Sequence, residues 1–232
     1  MELRTIKFKY LRNIIVYSIV LWISLFIIMA GAEYYLVKLN LISDQSYSSI
    51  VFSSLIQEII IVFILYIALK KDNEIKYFLK NNFINFPNFL NIVLAIAIGF
   101  FLAVSSEILL EFSSEYLPDF NFENYYDNIT GALKNIPFKI VYLFLVGFIS
   151  SIIEELFFRG YCYTYLRKTF GIGYSLFINT IIFSAFHPVP VILPSIILFN
   201  IVCCLGLEYS KSLIIPICIH VIFNSTMLLI NF

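Results

Sequence analysis

Six ionisable residues fall inside the long apolar stretches of this chain: Glu58, Glu154, Glu155, Arg159, His187 and His220, with Asn200 and Asn224 beside them. An ionisable group at membrane depth costs roughly 2.5–3.5 kcal/mol on insertion scales, so such residues suggest function by default. The two histidines are the only ones in the chain. Glu155 and Arg159 are four apart, on one face of a helix, and can form an ion pair. Glu154 lies about 100° round the same helix and so faces elsewhere, toward a cavity. His220 and Asn224 are also four apart, as are Phe183 and His187. A carboxylate beside a neutral imidazole can take a proton from water. A second imidazole and an amide can donate to a developing oxyanion. Together these are the parts of a hydrolase that needs no nucleophilic side chain. The competing reading makes Glu154, Glu155 and Arg159 one inert network bracing a helix, with the histidines as interhelical hydrogen-bonding residues. Residue types alone leave both readings open, and they assign Glu58 no role.

The elements that must carry these residues follow from composition. Of 232 residues, 61% are hydrophobic and 13% charged, whereas a soluble domain is about half apolar and a quarter charged. With a mean hydropathy of +0.92, a soluble globular fold is excluded. Fifteen basic and fifteen acidic residues cancel, which excludes a strongly basic nucleic-acid binder. The expected architecture is all-α, a polytopic membrane bundle.

A bilayer crossing needs about 20 apolar residues. Gaps between charges predict about seven spans, near Asn13–Ala32, Ser49–Leu69, Asn88–Ser106, Phe138–Leu166, Gly173–His187, Val191–Leu207 and Ser212–Asn231. Pro188 and Pro190 divide the charge-free stretch Thr169–Leu207, because proline breaks helices and disfavours helix at the residue before it. Arg4, Lys7, Lys9, Arg12, Lys70, Lys71, Lys76, Lys80, Arg167, Lys168 and Lys211 fall on one side, against Lys38, Lys134 and Lys139 on the other. The positive-inside rule then places the N-terminus in the cytoplasm. The acidic loop Glu107–Pro137 is expected outside, its start continuing the third span as a short surface helix. Helical rise puts Glu154 at about 20 Å, His187 at about 22 Å and His220 at about 13 Å from the cytoplasmic surface, so the three can meet.

No HExxH pattern is present, and the four cysteines form no CxxC pair, so neither disulfides nor a thiolate metal site is inferred. A Glu/His/His site can hold a divalent ion such as zinc, but the favoured expectation is no metal and no cofactor. Residues 1–137 are read as N-terminal helices with the acidic loop, and 138–232 as the catalytic helices; no internal repeat is visible.

Three motifs lie in order in separate spans: Glu154-Glu155-Leu156-Phe157-Phe158-Arg159 (EExxxR), Phe183-Ser184-Ala185-Phe186-His187 (FxxxH) and His220-Val221-Ile222-Phe223-Asn224 (HxxxN). In these the chain, over Phe138–Asn231, resembles the CPBP intramembrane proteases, the CAAX protease and bacteriocin-processing family, also called the Abi or type II CAAX prenyl endopeptidase family. The resemblance implies peptide-bond hydrolysis in the membrane. It assigns water activation to Glu154 and His187, the oxyanion hole to His220 and Asn224, and support to Glu155 and Arg159. Residues 1–137 carry no motif, so substrate choice is not transferred. The implied partners are a peptide or membrane-protein substrate and the lipid bilayer, without nucleic acid. The Ile-, Asn- and Phe-rich composition suggests the plasma membrane of an AT-rich bacterium, where bacteriocin or pheromone maturation is expected over prenylated substrates. The alternative is a non-catalytic immunity or scaffold protein of the same fold.

Overall fold

The computed structural model describes residues 47–71, 85–116, 140–187 and 192–230, with Tyr77, Lys80 and Asn81. The expected first span and most of the acidic loop lie outside the described residues. The chain divides into two compact units, residues 1–68 and 69–232. Of the first, the described part belongs to α1 (Tyr47–Lys71), in which Glu58 is buried.

The second unit contains α2 (Phe89–Tyr116), α3 (Ile140–Thr169), α4 (Ile172–Ala185), α5 (Leu193–Ser210) and α6 (Ile214–Ile230). Among the described residues there are helices and no strands. Three helices are long and apolar enough to cross a membrane: α2 over Phe89–Ser113, α3, and α5. These are all-α membrane elements, as the composition requires. Their outward faces are apolar too: Phe89, Phe100, Phe101, Ile108, Phe144, Ile197 and Leu205 are exposed. A helix apolar on every side has nothing to gain from water and fits a lipid surround.

Local signals explain the helix ends. α2 runs past its expected limit at Ser106 and carries Glu107, Glu111 and Glu115 in continuous helix as far as Tyr116. α4 ends at Ala185, two residues short of the expected limit, so His187 lies just beyond the helix. α5 takes Pro194 in its first turn, where the missing N–H costs nothing. It ends at Lys211, in the left-handed conformation at φ 55°.

Helix α6 is the hub of this unit, packing against α2 most extensively and also against α3 and α5. The approach depends on two glycines. A Cβ at Gly99 of α2 would sit 2.6 Å from the Ile219 carbonyl oxygen and 3.0 Å from Ile222 Cβ; a Cβ at Gly147 of α3 would sit 3.0 Å from Ser225 Oγ. Between helices in lipid, where no hydrophobic effect draws them together, close packing over small residues supplies the attraction. The neighbouring pair α4 and α5 is joined by a buried amide clamp. Asn179 Nδ2 donates to Asn200 Oδ1 at 3.1 Å, and Asn200 Nδ2 donates to Thr180 Oγ1 at 2.8 Å. Asn200 therefore joins helices.

Gly99→Ala is expected to destabilise the protein by about 1–3 kcal/mol, the usual cost of overpacking, because the atom it meets is backbone. Gly173→Ala, where an added Cβ meets nothing within 4 Å, is expected to be neutral or slightly stabilising. Thermal unfolding in detergent distinguishes them; equal midpoints for the two variants would contradict the close approach of α2 and α6.

Candidate active site

Helix α3 supplies both carboxylates from an unusual backbone. Two π-helical stretches, Leu143–Ser150 and Leu156–Tyr163, flank one α-helical turn, Ser151–Glu155. π-turns are rare and frequent at functional sites. Hydroxyls accompany the change of pitch: Ser151 Oγ donates to the Gly147 carbonyl at 2.8 Å, and Thr164 Oγ1 to the Arg159 carbonyl, five residues back, at 2.9 Å. The turn between the π-stretches carries Glu154 and Glu155 inward, both buried.

Glu155 is fully buried, and one of its oxygens does two things. Oε1 accepts from Arg159 Nη1 at 2.8 Å and from His220 Nδ1 at 2.7 Å. Arg159 is itself fully buried. Its guanidinium carbon stands 4.4 Å from the centroid of Phe183 and 5.4 Å from that of Phe199. A desolvated cation over an aromatic face gains about 2 kcal/mol or more, so the rings complete what a single carboxylate begins. Phe183, the first residue of FxxxH, thus has a physical task of its own.

Phe183 has a second task. Its carbonyl lies in the last turn of α4 and accepts twice, from the Phe186 N–H at 3.1 Å and from His187 Nδ1 at 3.0 Å. Both imidazoles are therefore held by an acceptor at Nδ1: a carbonyl for His187, a carboxylate for His220. In a neutral ring the proton then sits on Nδ1 and the lone pair on Nε2. Both Nε2 atoms approach the same oxygen. Glu154 Oε2 is 3.9 Å from His187 Nε2 and 4.0 Å from His220 Nε2. These separations are too long for direct hydrogen bonds and suit a bridging water. His187 is the most open of the three, its side chain 22% exposed.

The structure thus brings together Glu154, Glu155, Arg159, His187 and His220. Asn224 turns to α3 one turn before Glu154, where its Nδ2 donates to Ser151 Oγ at 3.1 Å and to the Val146 carbonyl at 3.4 Å. Two contributors escape the sequence reading. Phe199 of α5 packs its ring 4.6 Å from that of His220 and 5.9 Å from that of Phe183, and nothing distinguishes it among 25 phenylalanines. Ser151 bonds Asn224; its place one turn before Glu154 was the available signal.

Glu154, His187 and His220 offer one oxygen and two nitrogens to a metal. Tetrahedral zinc with Zn–N and Zn–O of about 2.0–2.1 Å needs ligand atoms about 3.3 Å apart. The 3.9 and 4.0 Å separations are wider. Among the described residues no group of three or more His, Cys, Asp or Glu side chains has metal-holding geometry. As placed, the residues do not close a zinc site.

Removing Arg159 strands the Glu155 carboxylate in low dielectric, and breaking a buried pair typically costs about 3–5 kcal/mol. Arg159→Ala is expected to lower the unfolding temperature in detergent strongly, and Glu154→Gln only slightly. An Arg159→Ala protein as stable as the parent would show that the pair does not brace the fold.

No curated protein and no solved structure matches the chain. Residues 136–226 match the family model of type II CAAX prenyl endopeptidase Rce1-like proteins, a stretch that opens just before α3 and closes two residues beyond Asn224. It includes all three motifs. The chain is accordingly a helical membrane protein whose residues 136–226 are similar to the Rce1-like type II CAAX prenyl endopeptidases.

Proposed function

We propose that the protein hydrolyses a peptide bond with a water activated by Glu154 and His187, without a covalent intermediate. The observation that carries this reading is the approach of three proton-accepting atoms to one point: Glu154 Oε2 and the Nε2 atoms of His187 and His220, 3.9 and 4.0 Å from the carboxylate oxygen. A water seated there donates one hydrogen to Glu154 and one to His187 Nε2, which turns an oxygen lone pair toward an incoming carbonyl carbon. On attack the carboxylate takes a water proton and the C–O bond forms. The carbonyl electrons move onto oxygen. Collapse of the tetrahedral adduct expels the amine, which receives the proton held by Glu154.

The oxyanion needs donors, and here the roles of His220 and Asn224 differ. Asn224 Nδ2 carries two hydrogens; turning one from the 3.4 Å contact with Val146 offers it to the oxyanion. Neutral His220 has its proton on the Glu155 side and so presents a lone pair at Nε2. It becomes a donor only as an imidazolium, whose charge Glu155 balances. With His220 neutral, the oxyanion is therefore served by Asn224, while His220, positioned by Glu155 with Arg159 holding Glu155, presents an acceptor to the water.

The substrate we propose is a peptide or membrane-protein segment, with bacteriocin or peptide-pheromone processing in a bacterial plasma membrane favoured over prenylated substrates. The support is compositional: a chain rich in Ile, Asn and Phe, with 25 Phe in 232 residues. The N-terminus is cytoplasmic in this reading. Single cysteines introduced in place of Ser46, Asn73 and Asn124, in a variant lacking the native four, test this. An impermeant maleimide is expected to label the first and third from outside and not the second; the reverse pattern inverts the orientation.

Glu154→Gln and His187→Ala are each expected to lower turnover of a membrane peptide substrate by roughly 10²–10⁴-fold, the usual range for a general base, while the protein stays folded. Near-normal turnover in either purified variant removes the water-activation assignment and leaves a bracing role. The chemistry proposed uses no metal, so the purified enzyme is expected to keep its activity in chelator. Loss of activity to chelation, restored by zinc with about one ion bound per chain, would make His220 a ligand instead.

A further inference from the structure

At the far end of α3 and α5 from the turn Ser151–Glu155 there is a cleft of about 240 Å³ that takes no part in the chemistry above, lined among others by Tyr163, Arg167, Lys168, Leu207, Glu208 and Lys211. Glu208 lies at its centre. Its Oε1 accepts from Tyr163 Oη at 3.1 Å and from Arg167 Nε, and its Oε2 accepts from Lys211 Nζ at 2.8 Å. Arg167 Nη1 donates in addition to the Phe170 carbonyl at 3.1 Å. The backbone at Lys211 is fixed as well: its N–H donates to the Leu207 carbonyl at 2.9 Å, and its carbonyl accepts from Asn85 Nδ2 at 3.3 Å.

Three properties of this cleft converge. Arg167 and Lys211 both bond the one carboxylate, and Lys168 lines the cleft as well, so its lining carries more positive than negative charge. Both Glu208 oxygens are already engaged, so the carboxylate acts chiefly to hold Arg167 and Lys211 in place; the guanidinium retains its outer edge, at Nη2, without a carboxylate acceptor among the described residues. The depth is also defined. Arg167 and Lys168 close one apolar stretch, Glu208 and Lys211 close another, and no charge falls between Lys168 and Glu208. The cleft therefore lies where hydrocarbon meets water, with Leu207 as an apolar wall and the Lys211 side chain 67% exposed. A guanidinium and two ammonium groups at that level match a phosphate, and basic pockets between helix ends are the usual seats of anionic headgroups.

We propose that this cleft binds the phosphate of an anionic phospholipid from the adjoining leaflet. The site is independent of the proteolytic reading: it needs neither Glu154 nor His187. A soluble phosphate offers the same chemistry, so the test separates the two sources.

The full chain, delipidated in detergent, is incubated with phosphatidylglycerol or with phosphatidylcholine, and bound lipid is counted by native mass spectrometry. Phosphatidylglycerol is expected to be retained preferentially. Each lysine near an anionic surface is worth about fivefold, so Lys168→Gln/Lys211→Gln is expected to weaken that preference roughly twentyfold, and Lys168→Arg/Lys211→Arg to keep it. Should the glutamine pair fail to fold, Lys168→Gln alone is expected to lose about fivefold. Equal retention of the two lipids by the parent overturns the proposal, as does an unchanged preference in the glutamine variants or its loss in the arginine pair. Displacement of bound phosphatidylglycerol by inorganic phosphate alone assigns the cleft to a soluble anion and overturns the lipid.

Discussion

One oxygen atom organises this site. Glu155 Oε1 accepts from Arg159 and from His220 at the same time, and it does so fully buried in a helix bundle. A carboxylate there is costly unless its charge is balanced and its lone pairs are used. Arg159 balances it, and the faces of Phe183 and Phe199 shelter Arg159 in turn. His220 is then fixed by the one lone pair that remains directed toward α6. Because the bond reaches across from α3 to α6, the same atom that settles a charge also sets the distance between two helices and the ring orientation of a histidine. Glu154, one residue earlier, is spared these duties and is left with the two bare ring nitrogens.

That division depends on backbone geometry as much as on charge. α6 reaches α2 and α3 only because Gly99 and Gly147 carry no Cβ. The turn Ser151–Glu155 is displaced relative to a regular helix by the π-stretches on each side of it. His187 is presented by the opposite device, a helix that stops. α4 ends at Ala185, where the Phe183 carbonyl accepts the Phe186 N–H in a tightened last turn and receives the His187 ring N–H as well. A longer α4 would have sent the His187 backbone N–H to that carbonyl and turned His187 with the helix.

Much of this was legible in the sequence, for identifiable reasons. Charges are expelled from spans, so gaps between them locate α1 to α6 to within a few residues; α2 overran its expected end because Glu107 and Glu111 are tolerated in a helix that has reached the surface. The four-residue spacing of Glu155 and Arg159 foretold their contact, which survives the change to π-pitch because the arginine side chain is long. The Glu155–His220 bond was hidden, since no spacing within one helix encodes a contact 65 residues away. The tautomers followed only once both Nδ1 acceptors were known. Phe199 carries no signal, as an aromatic on an apolar helix is the commonest kind of residue here. Asn224 lies on the face of His220 as its spacing required, and its amide reaches across to Ser151 and Val146 of α3.

The central claim is that acceptors at Nδ1 fix both rings, so that two Nε2 lone pairs approach one oxygen of Glu154. With only two histidines in the chain, nitrogen-15 NMR of histidine-labelled protein, purified on a histidine-free tag, reads this directly. The account predicts two neutral rings in the resting enzyme, each protonated at Nδ1 and bare at Nε2, and it predicts that Glu155→Gln perturbs His220 while leaving His187 unchanged. A His220 ring protonated at Nε2 and bare at Nδ1 would contradict the account, because the Glu155 carboxylate would then have no proton to accept from it.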